Sequence, residues 1–264
     1  MKPFLLLATR AEDEAADDEY RSFLTFSGLD ERDLRRVRLE RRALGEVDLR
    51  DWSGVLLGGG PFNASDPEQA KSPVQRRVEA DLRALFDLVV AADFPFLGAC
   101  YAIGTLGSHQ GAVVDRRYPE PVGAVPVTLT PEGRRDPLLR GLPATFDAFV
   151  GHKEAISELP PHADLLATAP GCPVQAFRVG HNVYATQFHP ELDVAGLCTR
   201  IDVYRNAGYF APEETETLKA EARRSAVVHP PEILRAFVAR YAGPEPVGGE
   251  PELSAPPEAS LTGT

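Results

Sequence analysis

The sequence predicts an α/β protein, with a mixed, largely parallel central sheet flanked by helices and extra helices at its C-terminal end. Three observations point there. In the N-terminal half, short apolar runs alternate with segments of helical periodicity, the rhythm of βαβ units. After Gly111, strand-like runs follow one another without helices between them. From Asp193 onward, helical spacing returns.

Pro3 to Ala8 reads as a buried strand, Glu12 to Phe26 as a helix, and Arg36 to Glu40 as a short strand. Gly54-Val55-Leu56-Leu57 is a third strand that ends in Gly58-Gly59-Gly60-Pro61. Between Pro73 and Ala91 the residues Val74, Val78, Leu82, Leu85 and Leu88 share a helix face, and Pro73 suits the first turn. Phe94 to Leu97 is the next strand. Further strands are expected at 122–130, 146–150, 163–168, 174–179 and 182–187. Gly180-His181-Asn182 marks a hairpin between the last two. Helices are expected at about 193–208, 213–226 and 231–241. The chain thus divides into one domain over 1–241, of which 193–241 are appended helices, and a tail over 242–264. That tail is rich in Pro, Gly, Glu and Ser, buries too little apolar surface to offset ordering entropy, and is expected to be disordered.

Composition narrows the function. The 264 residues are 43% hydrophobic and 25% charged, the profile of a soluble globular protein with one sizeable core. A net charge of −11 argues against nucleic-acid partners, whose phosphates need a basic surface. The acidic runs Glu12-Asp13-Glu14 and Asp17-Asp18-Glu19 read as a solvated helix face. Cys100, Cys172 and Cys198 are too scattered for a disulfide framework and show no metal-binding spacing, so a reducing, cytoplasmic setting is expected. Phe4 to Ala8 is too short for a signal-peptide core, and no run is long enough to span a membrane. Neither a metal nor a cofactor is expected.

Cys100 carries the chemistry. It sits in Phe94-Pro95-Phe96-Leu97-Gly98-Ala99-Cys100-Tyr101-Ala102-Ile103-Gly104, a strand running through a small-residue turn into a helix. Far downstream, Gln187-Phe188-His189-Pro190-Glu191 supplies an imidazole and a carboxylate two residues apart. A thiol at a strand-to-helix turn with a distant His and acid is how a chain builds a cysteine nucleophile. His189 then serves as general base, and Glu191 orients its ring. The helix N-terminus and the imidazole are expected to lower the thiol pKa, so that Cys100 alkylates faster than Cys172 and Cys198. The Gly58–Pro61 loop matches neither GxGxxG nor a P-loop. An oxyanion hole made of one N–H from this loop and one from Tyr101 suits the thiol better. His109, His162, His181 and His229 lie in helix-end, loop or turn contexts and are expected at the surface.

These residues resemble the class I (triad) glutamine amidotransferase family, in particular proteins similar to the glutaminase domain of GMP synthase. The likeness runs over residues 3 to 192 through the GGGP loop, the GACYAIG elbow, Gly151-His152 ahead of Leu159-Pro160, and ATQFHPE ending at Glu191. The resemblance implies a flavodoxin-like, seven-stranded-type mixed sheet. It also implies that Cys100 attacks the side-chain amide of glutamine, releasing ammonia through a glutamyl thioester. It assigns Cys100, His189 and Glu191 to the triad, the N–H groups of Gly59 and Tyr101 to the oxyanion hole, and Gly60, Gly151 and His152 to the substrate pocket.

Two positions depart from the family elbow G-x-C-x-G-x-Q: Ala102 replaces the later Gly, and Gly104 replaces the Gln. The first adds a methyl group to a tight turn, and the second removes an amide that would hold glutamine. The expected ligand is therefore glutamine or another γ-glutamyl small molecule. With no synthetase domain in the sequence, the ammonia acceptor is expected on a separate synthetase or acceptor subunit. Two alternatives stand: γ-glutamyl hydrolase or peptidase activity on the same fold, and a non-catalytic binding protein.

Overall fold

Strand β1 (Phe4–Ala8) is buried at every residue, because it lies inside a sheet whose two faces are both covered. In the computed structural model, which describes residues 1–243, Phe4 and Leu6 point to one core and Leu5 and Leu7 to the other. Side chains of a strand alternate between faces, so an unbroken apolar run is what a doubly covered strand requires. The first core is shared with α1 (Asp13–Ser27) and with α7 (Pro231–Tyr241) through Phe23, Ile233, Leu234 and Phe237. The second is shared with α2 (Pro73–Ala91) and α3 (Tyr101–His109) through Val78, Leu82, Phe86, Ile103 and Leu106.

The sheet continues with β2 (Leu34–Arg38), β3 (Gly54–Leu57), β4 (Phe96–Ala99), β6 (Glu120–Leu129), β7 (Thr145–His152), β9 (Ala163–Thr168), β10 (Ala176–Val179) and β11 (Val183–Thr186). Its nine strands run in the order β2-β1-β3-β4-β11-β10-β9-β6-β7, two more than the resemblance implies. From β2 to β11 all pairs are parallel; from β11 to β7 all are antiparallel. The antiparallel half contains the expected β10–β11 hairpin, closed by Gly180 at φ 59°, a left-handed conformation that glycine adopts without strain.

Three short elements lack a sequence signal: β5 (Val113–Asp115) and β8 (Ala155–Glu158), which pair as a separate ribbon, and α4 (Pro131–Arg135). Each is too short to show a period. The helix α2 begins where its sequence suggests, with the Ser72 hydroxyl accepting from Gln75 N–H and Pro73 in the first turn.

The C-terminal helices pack on the domain. α5 (Val194–Val203) starts at Asp193, whose side chain accepts from Gly196 N–H. Together with α6 (Thr215–Arg224) it covers Phe149 and Leu192 through Leu197, Ile201 and Ala222. The expected tail falls outside the described residues from 244 onward. Among the described residues no helix is long and apolar enough to cross a membrane.

Candidate active site

Neighbouring strands explain how residues far apart in sequence meet. β4 and β11 are parallel and adjacent, with Ala99 in register with Thr186. Whatever follows either strand therefore emerges at the same carboxyl end, where open α/β sheets hold their ligands. Cys100 follows β4 directly, and its N–H donates to Thr186 O at 2.7 Å. His189 follows β11, and its N–H donates to Phe149 O at 3.0 Å. β11 lies in the middle of the sheet, so the histidine is delivered to the end of a central strand and not to a sheet edge.

Cys100 has φ 49° and ψ −79°. For a residue with a side chain this is a strained backbone, the sharp turn that projects a nucleophile above a sheet. The small neighbours matter sterically. A Cβ on Gly98 would collide with the methyl of Ala102. Ala102 is thus accommodated because its opposite number is bare.

Cys100 and His189 line one cavity, together with Arg10, Gly60, Gly151 and Arg200. Glu191 is fully buried behind the histidine, with Oε1 2.7 Å from His189 Nδ1. That partner is a carboxylate, so Nδ1 carries the proton and Nε2 is left as a free base. Gly59 lies against the ring: a Cβ there would come 2.6 Å from His189 Cε1 and 2.9 Å from Arg10 Nη2. Thr9 Oγ1 donates to Gly59 O at 3.0 Å, tying down the peptide next to the ring. Tyr101 opens α3, and its ring packs edge-on against Phe62 and reaches Glu79 Oε1 at 3.5 Å.

His152 is not at this cavity. Its ring is held by Glu154 O at 2.8 Å and by Glu120 Oε2 at 2.9 Å, in a buried polar cluster beyond Gly151. The pocket expected for it is lined by its neighbour instead, because alternation along β7 turns consecutive residues to opposite sides.

Sequence reasoning missed the ionic scaffold. Glu19 belongs to an acidic run read as a solvated face, yet it is fully buried. Its Oε1 accepts from Arg10 Nε at 2.9 Å and Arg200 Nη2 at 3.3 Å. Arg200 Nη2 also donates to Glu191 Oε1 at 2.9 Å, and its Nη1 is 3.0 Å from His189 Nδ1. With the proton already on Nδ1, that last approach supplies charge and no hydrogen bond. A signal for Glu19 existed: Ala15, Ala16, Glu19 and Phe23 share one face of α1, and all are buried.

Burial sets the proton distribution. It pushes the Cys100 thiol up to about 12, despite the opposing charge of Arg10. The expected lowering by the helix N-terminus is outweighed. Burial also brings His189 down to about 4; Glu191 opposes this, while the Arg200 and Arg10 charges add to it. Burial alone would raise Glu191, but the His189 and Arg200 contacts outweigh it and hold the carboxyl well below its usual range. The resting pair is therefore a neutral thiol and a neutral imidazole.

Gly104 leaves room for an acid. A Cβ there would strike Glu154 Oε1 and come 2.9 Å from Ala64 Cβ. Glu154 accepts from Ala64 N–H at 2.8 Å and Ser65 N–H at 2.7 Å, pinning the stretch after the glycine loop. One wall of the cavity is apolar and comes largely from the C-terminal segment: Leu197, Ile201, Tyr204, Tyr209 and Phe210. Lys153 holds that segment, donating to Ala207 O at 3.2 Å and lying 4.3 Å from the centre of the Tyr209 ring.

The comparisons agree with this architecture. The family model "Glutamine amidotransferase class-I" matches residues 31–196. The chain is 34% identical over 167 residues to a subunit of the glutamine-hydrolyzing GMP synthase of Thermococcus kodakarensis, covering 62% of this chain and 78% of that protein. It is 29% identical over 150 residues to the glutamine-hydrolyzing GMP synthase of Thermomicrobium roseum, covering 54% of this chain and 25% of the relative. The chain thus spans about a quarter of the length of such full-length synthases. In fold, it is similar to a glutamine amidotransferase structure from Thermotoga maritima, with a TM-score of 0.73, 19% identity, and coverage of 91% of this chain and 98% of the other. With the matched region running from before β2 through the QFHPE segment, the chain belongs to the class-I glutamine amidotransferase family.

Proposed function

We propose that the protein hydrolyses the side-chain amide of glutamine at Cys100, with His189 and Glu191 completing the triad, and passes the ammonia to a separate acceptor protein. One observation carries the reading: adjacent parallel strands bring a thiol and a carboxylate-bound imidazole onto one cavity. His189 Nε2 takes the thiol proton as Cys100 Sγ bonds to the amide carbon, and the carbonyl oxygen becomes an oxyanion. The N–H groups of Gly59 and Tyr101 stabilise that charge, each worth about 2.7–4 kcal/mol in such sites. The imidazolium then gives its proton to the departing nitrogen, and ammonia leaves behind a glutamyl thioester. Water, deprotonated by His189, splits the thioester to glutamate and the free thiol. Because thiol and imidazole start neutral, proton transfer accompanies attack.

Glu191 keeps the imidazole in the useful tautomer and balances its charge. Arg200 works one step back, holding Glu191 ionised and disfavouring premature protonation of the ring. The separate acceptor is suggested by the Thermococcus relative, which is named as one subunit of a GMP synthase.

A second reading is favoured by the apolar wall, which suits a γ-glutamyl amide with a larger leaving group, and water as the only acceptor. Ammonia and glutamate release should be measured with glutamine and with γ-glutamyl peptides, for the wild type and Cys100→Ala. Turnover of glutamine that disappears in the variant supports the first reading. Turnover of peptides alone supports the second. Silence with both, even beside a synthetase partner, would leave a non-catalytic binding protein.

A further inference from the structure

A second group of reactive side chains lies beyond Gly151. Glu120 at the start of β6, His152 at the end of β7 and Cys172 in the turn before β10 are all buried. One ligand atom from each lies within 4.8 Å of the other two. They come from three separate segments, so no short-range spacing announces them.

Proton bookkeeping shows what the cluster needs. His152 Nδ1 is 2.8 Å from Glu154 O, a carbonyl that can only accept, so Nδ1 carries the ring proton. The lone pair on Nε2 then faces Glu120 Oε2 at 2.9 Å, acceptor against acceptor. Gln175 Nε2 donates to that same oxygen at 2.6 Å but leaves the carboxylate charge in place. A proton held between the two groups, or a metal ion, would relieve this contact. A proton would leave the Cys172 thiol on its contact to Val174 O at 3.5 Å, whereas a metal ion would use the sulfur as well.

We propose that Glu120, His152 and Cys172 form a structural zinc site. A mixed O, N and S donor set is one that Zn²⁺ accepts, with bonds of roughly 2.0–2.3 Å, and side-chain shifts of about 1 Å would bring these atoms to a tetrahedral arrangement. The surroundings match those of metal ligands, whose outer partners fix orientation: a carbonyl on the far nitrogen of His152 and an amide on the Glu120 oxygen. Gln175 Oε1 is fully buried and has no hydrogen-bond partner among the described residues. It is available for the fourth position, directly or through a water. Binding releases the Cys172 thiol proton to solvent. A cleft lined by Glu120, His152, Lys153 and Tyr209 offers an entry path, with the Lys153 ammonium turned toward Ala207 O. The ion would tie β6, β7 and the 169–175 turn together next to Gly151 and Val122, which line the catalytic cavity.

The test uses the full chain carrying Cys100→Ala, so that the catalytic thiol cannot take part. After chelation, Co²⁺ is titrated in as a spectroscopic substitute. The expected result is a thiolate-to-cobalt charge-transfer band that saturates at one ion per chain and is displaced by Zn²⁺. Zn²⁺ should also raise the thermal midpoint. The band should vanish in Cys172→Ser and weaken in His152→Gln. A natively folded chain that shows no band and no Zn²⁺-dependent stabilisation overturns the site and leaves a proton-bridged pair. A band that persists in Cys172→Ser overturns it as well.

Discussion

Cys100 and His189 are poised by dehydration. A thiol pushed up to about 12 and an imidazole brought down to about 4 share little charge at rest. Iodoacetamide labelling of Cys100 should therefore keep rising with pH beyond about 10, where an ordinary thiol of pKa about 8.5 has levelled off. A plateau near neutrality, read by peptide mass spectrometry, would show a preformed thiolate. His189 also leaves a signature in stability. Its folded value of about 4 lies below the unfolded value near 6.5, so the unfolded chain binds more protons between them. The contribution is present above about pH 6.5 and is lost as pH falls toward 4. In urea titrations, the fall of stability across this window should be shallower for His189→Asn than for the wild type.

Cys100, His189 and Glu191 are legible because each sits in a short motif with its own local reason. Arg10, Glu19 and Arg200 are not, since each takes its meaning from a partner on another element. Glu154 escapes for the same cause: only the fold puts its carboxylate in the space that Gly104 leaves.

Among the elements, the elbow and α5 carry the sharpest consequences. Gly98→Ala would force its methyl into Ala102, and overpacking of this kind costs about 1–3 kcal/mol. Chemical denaturation should show that loss, and the proposed glutamine hydrolysis should drop as the strained turn shifts. Arg200→Met removes the cation shared by two buried carboxylates, Glu19 and Glu191. Breaking a buried pair from one side costs about 3–5 kcal/mol. Arg200→Met should destabilise the fold by that order and weaken catalysis through Glu191, with Arg200→Lys recovering part of both. A loss within about 0.5 kcal/mol would mean that α5 does not brace the site.

The elements 54–57, 73–91 and 163–168 match the structure residue for residue, whereas the strand expected at 36–40 runs over Leu34–Arg38. Each of the three matches is an apolar run or a helical period that stands out from its flanks. The ribbon of β5 and β8 and the single-turn α4 carry no such run, and their existence depends on what they pack against.

At the scale of the whole molecule, the C-terminal helices change the picture. The family match ends at residue 196, early in α5, yet Tyr204, Tyr209 and Phe210 complete one wall of the cavity that Cys100 and His189 line. Their coverage could not be read from helical periodicity, which shows an apolar face but not what it covers. Tyr209→Ala should open this wall and raise KM more than it lowers kcat, for glutamine or for a γ-glutamyl peptide. An unchanged KM would mean that the wall does not touch the substrate.

The central claim is that the thiol of Cys100 attacks the γ-carbonyl of a glutamyl substrate. Its most direct test is peptide-level mass spectrometry after incubation with a chloroketone analogue of glutamine. The expected result is a single adduct on Cys100, slowed by excess glutamine and absent from His189→Asn at matched times. An adduct on Cys172 or Cys198 instead, or labelling of Cys100 that glutamine and the histidine leave untouched, would contradict it.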